Sequence, residues 1–339
     1  MSALPLRRTV TPLLAVLVVA CGRSNTTAPT FPLVLVADVD LPGNANRFDY
    51  QDVDRELGHL VIAHMNDASV VVVDMKDGAV LKVLSNIPTA RGVAVASDVN
   101  RIFVTSSPDQ LVLIDSKSLA EVGRAKTGNG PDGVAWDPVH HVVGVSDQHD
   151  GAMSLIAGSG TGARVAVALG KETGNVVFDP SRNAFWITVV GTSPPDRLVL
   201  VDPVQNDATT KIDLPGCDGA HGLRLHPDGK SAFVACESNS KLARVELDGA
   251  HAVVTAATGN GPDVLSIDPG LGWLYVAAES GDLVVFDIGA PGLTLKSREH
   301  PGDTAHSVAV DPSTHRVFFP LQSGPKGTPA LRIMRPGGG

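Results

Sequence analysis

The groups with which this 339-residue chain can do chemistry are eleven histidines and thirty-six acidic residues. Seven polar positions recur at nearly even intervals: Asp49, Arg91, Asp132, Asn175, His221, Asp263 and His306. A second set, His64, Asp147, Glu237 and Glu279, follows several of them at the ends of the second strands of the repeat. Brought to one place, imidazole and carboxylate suit Zn²⁺, and carboxylate with carbonyl suits Ca²⁺. A divalent metal, Zn²⁺ or Ca²⁺, is therefore the one cofactor the sequence suggests. His64, His221, His306 and Glu237 are its first candidate ligands. The same seven positions serve as well for a water-filled polar opening that recognises a small molecule or a protein.

Other chemistries find little support. Ser106, Ser146 and Ser307 lack the Gly-x-Ser-x-Gly turn of a serine nucleophile, so no catalytic residue is assigned. Gly158-Ser159-Gly160-Thr161-Gly162 has neither the lysine nor the following helix of a phosphate-binding loop. Three Trp and two Tyr give little platform for stacking a flat quinone. A net charge of −9 leaves no basic footprint for nucleic acid.

Three cysteines are too few for a disulfide scaffold. Arg7 and Arg8 precede an apolar run, Thr9 to Ala20, too short for the ~20 residues a bilayer span needs. Residues 1–20 are expected to be a signal peptide of the lipoprotein type. Val18-Val19-Ala20-Cys21-Gly22 resembles a lipobox, with Cys21 the lipidated residue. Polar residues up to Pro32 would then form a flexible tether, giving a lipid-anchored protein rather than a spanning one. Losing Arg7 and Arg8 takes the formal charge from −9 to −11. Export places Cys217 and Cys236 in an oxidising compartment, where a disulfide between them is expected to pin the loop before His221.

The elements that must position these groups are short. Thirty-five Gly and twenty-four Pro, spread along the chain, argue for many turns and against long helices. One phrase repeats: an apolar strand, a turn, a second strand, a gap, and a third strand that commonly ends in Asp. Its turn falls at Asp54, Ser97-Asp98, Asp137-Pro138, Asp179-Pro180, His226-Pro227, Asp268-Pro269 and Asp311-Pro312, a period of about 43 residues. Seven such units predict an all-β fold, a seven-bladed β-propeller with four-stranded antiparallel blades. Two β-sandwiches would not explain a repeat that runs unbroken through the middle of the chain. The last unit lacks a fourth strand, and Leu33–Leu41 is a strand with nothing before it. If that N-terminal strand completes the last blade, the ring closes and no bare edge remains. The expected organisation is thus 1–20 signal peptide, 21–32 tether and 33–339 a single propeller domain.

Strand direction sorts the histidines between two faces. His59, His140, His141, His226, His251 and His315 fall with the Asp-Pro turns. His64, His149, His221, His300 and His306 fall on the opposite face, here called the top. The seven recurring positions precede the innermost strands and should ring the channel mouth there.

Units such as Val134-Ala135-Trp136-Asp137-Pro138, Ile102-Phe103-Val104-Thr105-Ser106, Leu111-Val112-Leu113-Ile114-Asp115 and Leu274-Tyr275-Val276-Ala277-Ala278 resemble those of the YVTN-repeat, YncE-like propellers of bacterial cell envelopes. The resemblance runs from about Leu33 to Arg335, although Tyr-Val-Thr-Asn never occurs intact. It implies a seven-bladed propeller outside the cytoplasm and brings no shared catalytic residues. Lactonase, gluconolactonase and quinoprotein propellers are similar at greater distance. The function expected is a membrane-anchored module, monomeric, that binds an envelope protein or a small ligand at the polar mouth. The alternative is a metal-dependent hydrolase of lactonase type using the top-face histidines and carboxylates. The expected location is the cell envelope, with the outer membrane and periplasm favoured because Gly22 is not the aspartate of inner-membrane retention.

Overall fold

The computed structural model describes Met1 and residues 30–193, 195–289 and 292–337. The leader, Cys21 and most of the tether lie outside the described residues. Seven four-stranded antiparallel sheets follow one another around a central channel, each blade running from its innermost strand outward. Blade 1 is Gln51–Asp54, His59–His64, Ser69–Asp74 and Val80–Ser85, and blade 5 is Ala220–Leu225, Ser231–Cys236, Lys241–Glu246 and Val253–Ala257. Middle strands are buried on both faces, which is why they are runs of Val, Leu, Ile and Phe rather than alternating patterns. Outer strands such as Val80–Ser85 are largely exposed. Apolar clusters fill the wedges between blades; Trp186 of blade 4, for example, packs with Ala232, Val234 and Val245 of blade 5.

Blade 7 is made from both ends of the chain. Ala309–Asp311, Arg316–Leu321 and Ala330–Gly337 supply three strands, and Thr30–Asp40 pairs antiparallel with the third. Leu35 lies opposite Met334 and Val39 opposite Leu331. The strand begins at Thr30, ahead of the Leu33 expected from sequence. Phe31 supplies the reason, its ring lying 4.6 Å from Trp273. Asp38 fixes the register by accepting two bonds from Arg332, at 2.8 and 2.9 Å.

The repeated aspartates are turn chemistry. Asp137 Oδ1 accepts the backbone N–H groups of Val139 and His140, Asp268 Oδ1 those of Gly270 and Leu271, and Asp311 Oδ1 that of Ser313. Third-strand ends repeat the device, as at Asp115 and Asp202. The turn-face histidines share this structural work. His141, His251 and His315 take left-handed backbone conformations, and His140 and His315 bond Asp137 and Asp268 at 2.6 and 2.7 Å. Much of the chain's negative charge is therefore committed to closing turns.

Candidate functional site at the top-face channel mouth

Innermost strands do not run straight into the mouth. In blades 3, 5 and 6 the register slips by one residue between Pro131 and Val134, Ala220 and Leu223, and Pro262 and Leu265. Each slip is a β-bulge, a device that re-aims side chains. The bulged residues are Asp132, His221 and Asp263, so the distortion delivers the ring residues to the channel. Glycine follows Asp132 and His221, as it follows Arg91 in blade 2, because neighbouring blades touch here. A Cβ on Gly222 would stand 1.8 Å from the carbonyl oxygen of Asp263, and one on Gly92 2.1 Å from that of Asp132.

Asn175 departs from the expected ring. The blade 4 slip lies between Thr173 and Val176, and register equates Gly174, not Asn175, with Asp132. Asn175 sits one place further on, with its Oδ1 against Gly133 and bonded to the N–H of Val176. The ring thus has a side-chain gap at blade 4. Asp49, Arg91, Asp132, His221 and Asp263 do line a mouth cavity of about 190 Å³, joined by Arg47, Met65, Gln148, Glu237 and Glu279.

His221 is the hub. Its Nδ1 lies 3.2 Å from Asp263 Oδ1 in a hydrogen bond, and its Nε2 lies 3.1 Å from Asp132 Oδ2. The second contact is off the N–H direction and acts as an ion pair, which leaves Asp132 Oδ2 without an aligned hydrogen bond. Burial opposes charge on the imidazole, but Asp132 and Asp263 outweigh it and raise the pKa well above that of ordinary histidine. The ring is an imidazolium and is spent on its two carboxylates. Burial would also raise Asp263, yet the bond and charge of His221, with Arg47, hold it below the usual carboxylate range.

Tyr50 crosses the channel from blade 1 and donates its hydroxyl to Asp263 Oδ1 at 3.1 Å. Burial, then the charges of Asp263, Asp132 and Asp49, raise the phenol well above its normal value, so it remains a neutral donor. With His221 it forms a hydrogen-bonded floor under the mouth. Arg47 makes two bonds to Glu279, at 2.7 and 3.0 Å, and Arg91 bonds Gln148 at 2.8 Å. Both arginines stand back from the ring carboxylates, Arg91 3.7 Å from Asp132 and Arg47 3.8 Å from Asp263.

Beside this hub, Asp49, Asp263 and His306 form a cluster able to hold a metal ion, with one donor atom from each within 4.8 Å of the others. All three are buried, His306 to 1% exposure. His306 Nδ1 donates to the carbonyl of Thr304 at 3.0 Å, which leaves Nε2 as the lone-pair nitrogen. That atom is buried and has no hydrogen-bond partner among the described residues. A histidine whose far nitrogen is fixed by a carbonyl is the usual preparation of a metal ligand. Two calcium bonds of ~2.3–2.6 Å span at most about 5.2 Å, so each pair of donors is within calcium's reach, whereas tetrahedral zinc, with bonds of ~2.0–2.2 Å, would need the donors to close to about 3.4 Å. Burial, then repulsion from Asp263 and Asp132, pushes the Asp49 carboxyl well above the usual range. A cation would relieve that repulsion.

The ligand set expected from sequence is therefore corrected: of His64, His221, His306 and Glu237, only His306 belongs to the cluster. His64 is fully buried and stacked on Phe48 at 3.9 Å, and burial lowers its pKa against the pull of Asp67. His221 has no free nitrogen. Glu237 lines the mouth without joining the three, its carboxyl raised by burial despite the attraction of His221. Asp147 is turned away into a closed network with Gly128, Ser154 and Arg164. The Cys217–Cys236 disulfide is present and ties the loop entering His221 to the end of the next strand.

Fold and mouth together define a seven-bladed β-propeller with a charged, buried constellation at one end of its channel. The chain is similar in structure to a chain of hydrazine synthase from Kuenenia stuttgartiensis, with TM-score 0.74 and 16% identity over 90% of this chain and 98% of that one. It is similar also to virginiamycin B lyase from Staphylococcus aureus, with TM-score 0.71 and 12% identity over 89% and 99%. At these identities the likeness speaks for the fold alone. No protein-family model and no curated protein matches the chain.

Proposed function

We propose that this propeller is a binding module whose top-face mouth captures a small polar ligand together with a divalent cation. The observation that carries the proposal is His306 Nε2, buried and unpartnered beside the carboxylates of Asp49 and Asp263. Arg47, Arg91, Glu237 and Glu279 surround the cluster and offer both signs of charge to a ligand. The proposal keeps the setting expected from the sequence: a YVTN-like propeller, monomeric, exported, lipidated at Cys21 and held at the cell envelope. A small molecule or an envelope protein remains the partner. Calorimetric titration of EDTA-stripped protein with Zn²⁺ and with Ca²⁺ should show one site per chain, lost in Asp49→Ala and His306→Ala and kept in His64→Ala. No saturable site, or unchanged binding by His306→Ala, would overturn it.

Glu237 favours a second reading, metal-dependent hydrolysis. A cation at the cluster would supply Lewis acidity toward a carbonyl. Glu237, with its raised pKa, is placed to hold or deliver a proton at its carboxyl. Turnover of a lactone or ester that depends on both the metal and Glu237 would decide for the enzyme.

A further inference from the structure

The opposite end of the channel is a different chamber. Below the floor of Tyr50 and His221 the lumen widens to about 800 Å³ and opens among the Asp-Pro turns. Most of its lining residues are apolar, with Val53, Val95, Trp136, Val177, Leu225 and Ile267 from six blades still partly exposed at the centre of the ring. That size lies within the range of small-molecule sites, which combine an apolar lining with a few placed polar groups.

Four charged residues line this lumen, Asp52 and Arg224 on the innermost strands of blades 1 and 5, and Arg55 and Asp98 at the turns. Asp52 is spent: its oxygens accept the N–H groups of Val53 and Val95, both at 2.8 Å. Arg224 is not. One nitrogen of its guanidinium donates to the carbonyl of Leu223 at 3.2 Å. No carboxylate among the described residues lies within ion-pair distance of it, and a guanidinium carries five donors in a planar fork. At the rim, Asp98 is likewise engaged, by the indole N–H of Trp136 at 3.0 Å. The lumen therefore presents apolar residues with Arg224 set among them as a cation that has donors to give, and a second arginine, Arg55, exposed at the turn rim.

We propose that this turn-face chamber binds a small amphiphilic anion, an apolar body with a single carboxylate or sulfonate head seated on Arg224. The body lies against the aliphatic wall and Trp136, where it loses contact with water. The site is independent of the cation cluster, because the Tyr50–His221 floor stands between them.

The probe is anilinonaphthalene sulfonate, followed by its own emission, with decanoate and decanol as competitors. One saturable site per chain is expected, displaced by decanoate at least about tenfold more effectively than by decanol, the equivalent of one charge-assisted bond. Arg224→Gln should weaken dye binding about tenfold on the same arithmetic. Ile267→Trp, which adds bulk to the apolar wall and leaves Arg224 in place, should weaken it. Circular dichroism establishes that each variant is folded, and should Arg224→Gln not fold, Ile267→Trp and the paired competitors still decide the question. EDTA and Asp49→Ala should leave dye binding unchanged. Unsaturable binding, equal competition by decanol, or full binding by Ile267→Trp would overturn the proposal. Loss of the site in Asp49→Ala would move the ligand to the mouth and overturn it too.

Discussion

Replacing His221 by Gln removes the one cation that touches both Asp132 and Asp263. Breaking a buried ion pair by deleting one partner usually costs ~3–5 kcal/mol, because a charge is left without compensation. Here each carboxylate keeps an arginine at arm's length, Arg91 at 3.7 Å and Arg47 at 3.8 Å. The expected loss is therefore at the low end, about 3 kcal/mol. Urea denaturation at pH 7 in EDTA measures it without interference from bound metal. A double-mutant cycle gives the sharper test: Asp132→Asn on top of His221→Gln removes the uncompensated charge, so the pair should cost at least about 1 kcal/mol less than the sum of the singles. Additivity within about 0.5 kcal/mol would refute the assignment of His221 as an imidazolium clamp. The pH dependence has a definite sign. A folded pKa raised above the ordinary value near 6.5 gives stability that is complete below that value. It fades as pH climbs through the raised one, by up to about 1.4 kcal/mol per pH unit for one proton.

Two further outcomes follow from the scaffold. Closing a loop between residues nineteen apart lowers the entropy of the unfolded chain, so Cys217→Ala/Cys236→Ala should cost about 3 kcal/mol. Urea midpoints read it, and a loss below about 1 kcal/mol would show that the bridge is not what holds the loop. Removing residues 1–40 strips the outer strand from blade 7 and bares the Ala330–Gly337 edge. Size-exclusion chromatography should show self-association, and an unchanged, equally stable monomer would contradict the closure.

How much of this was legible beforehand differs between scaffold and site. Asp54, Asp137, Asp179, Asp268 and Asp311 announce the blades because a turn-closing carboxylate is a local requirement that repeats with every unit. The closing strand was legible as a surplus at one end matching a deficit at the other. The ring was legible only to the accuracy of one residue. Even spacing led to Asn175, whereas the bulge in blade 4 puts Gly174 in the ring, and a bulge has no signature in residue type alone. Tyr50, Arg47 and Gln148 were missed because they reach across blades, and no spacing encodes reach. His64 and His221 looked alike in sequence as top-face imidazoles. What separates them is packing: one is stacked on Phe48, the other held between two carboxylates.

The two strands that complete blade 7 are separated by almost the whole chain, since Thr30–Asp40 is synthesised before the first blade and Ala330–Gly337 after the sixth. Contacts of such sequence separation form late, because the loop they close carries the largest entropic cost. The seam is therefore a completeness check. Six blades can stack as they emerge, but the ring cannot lock until residues 330–337 arrive to meet a strand that has been waiting since the start. A chain cut short anywhere before them keeps an open edge, which marks it for capture by proteases and chaperones before any ligand is offered a finished mouth.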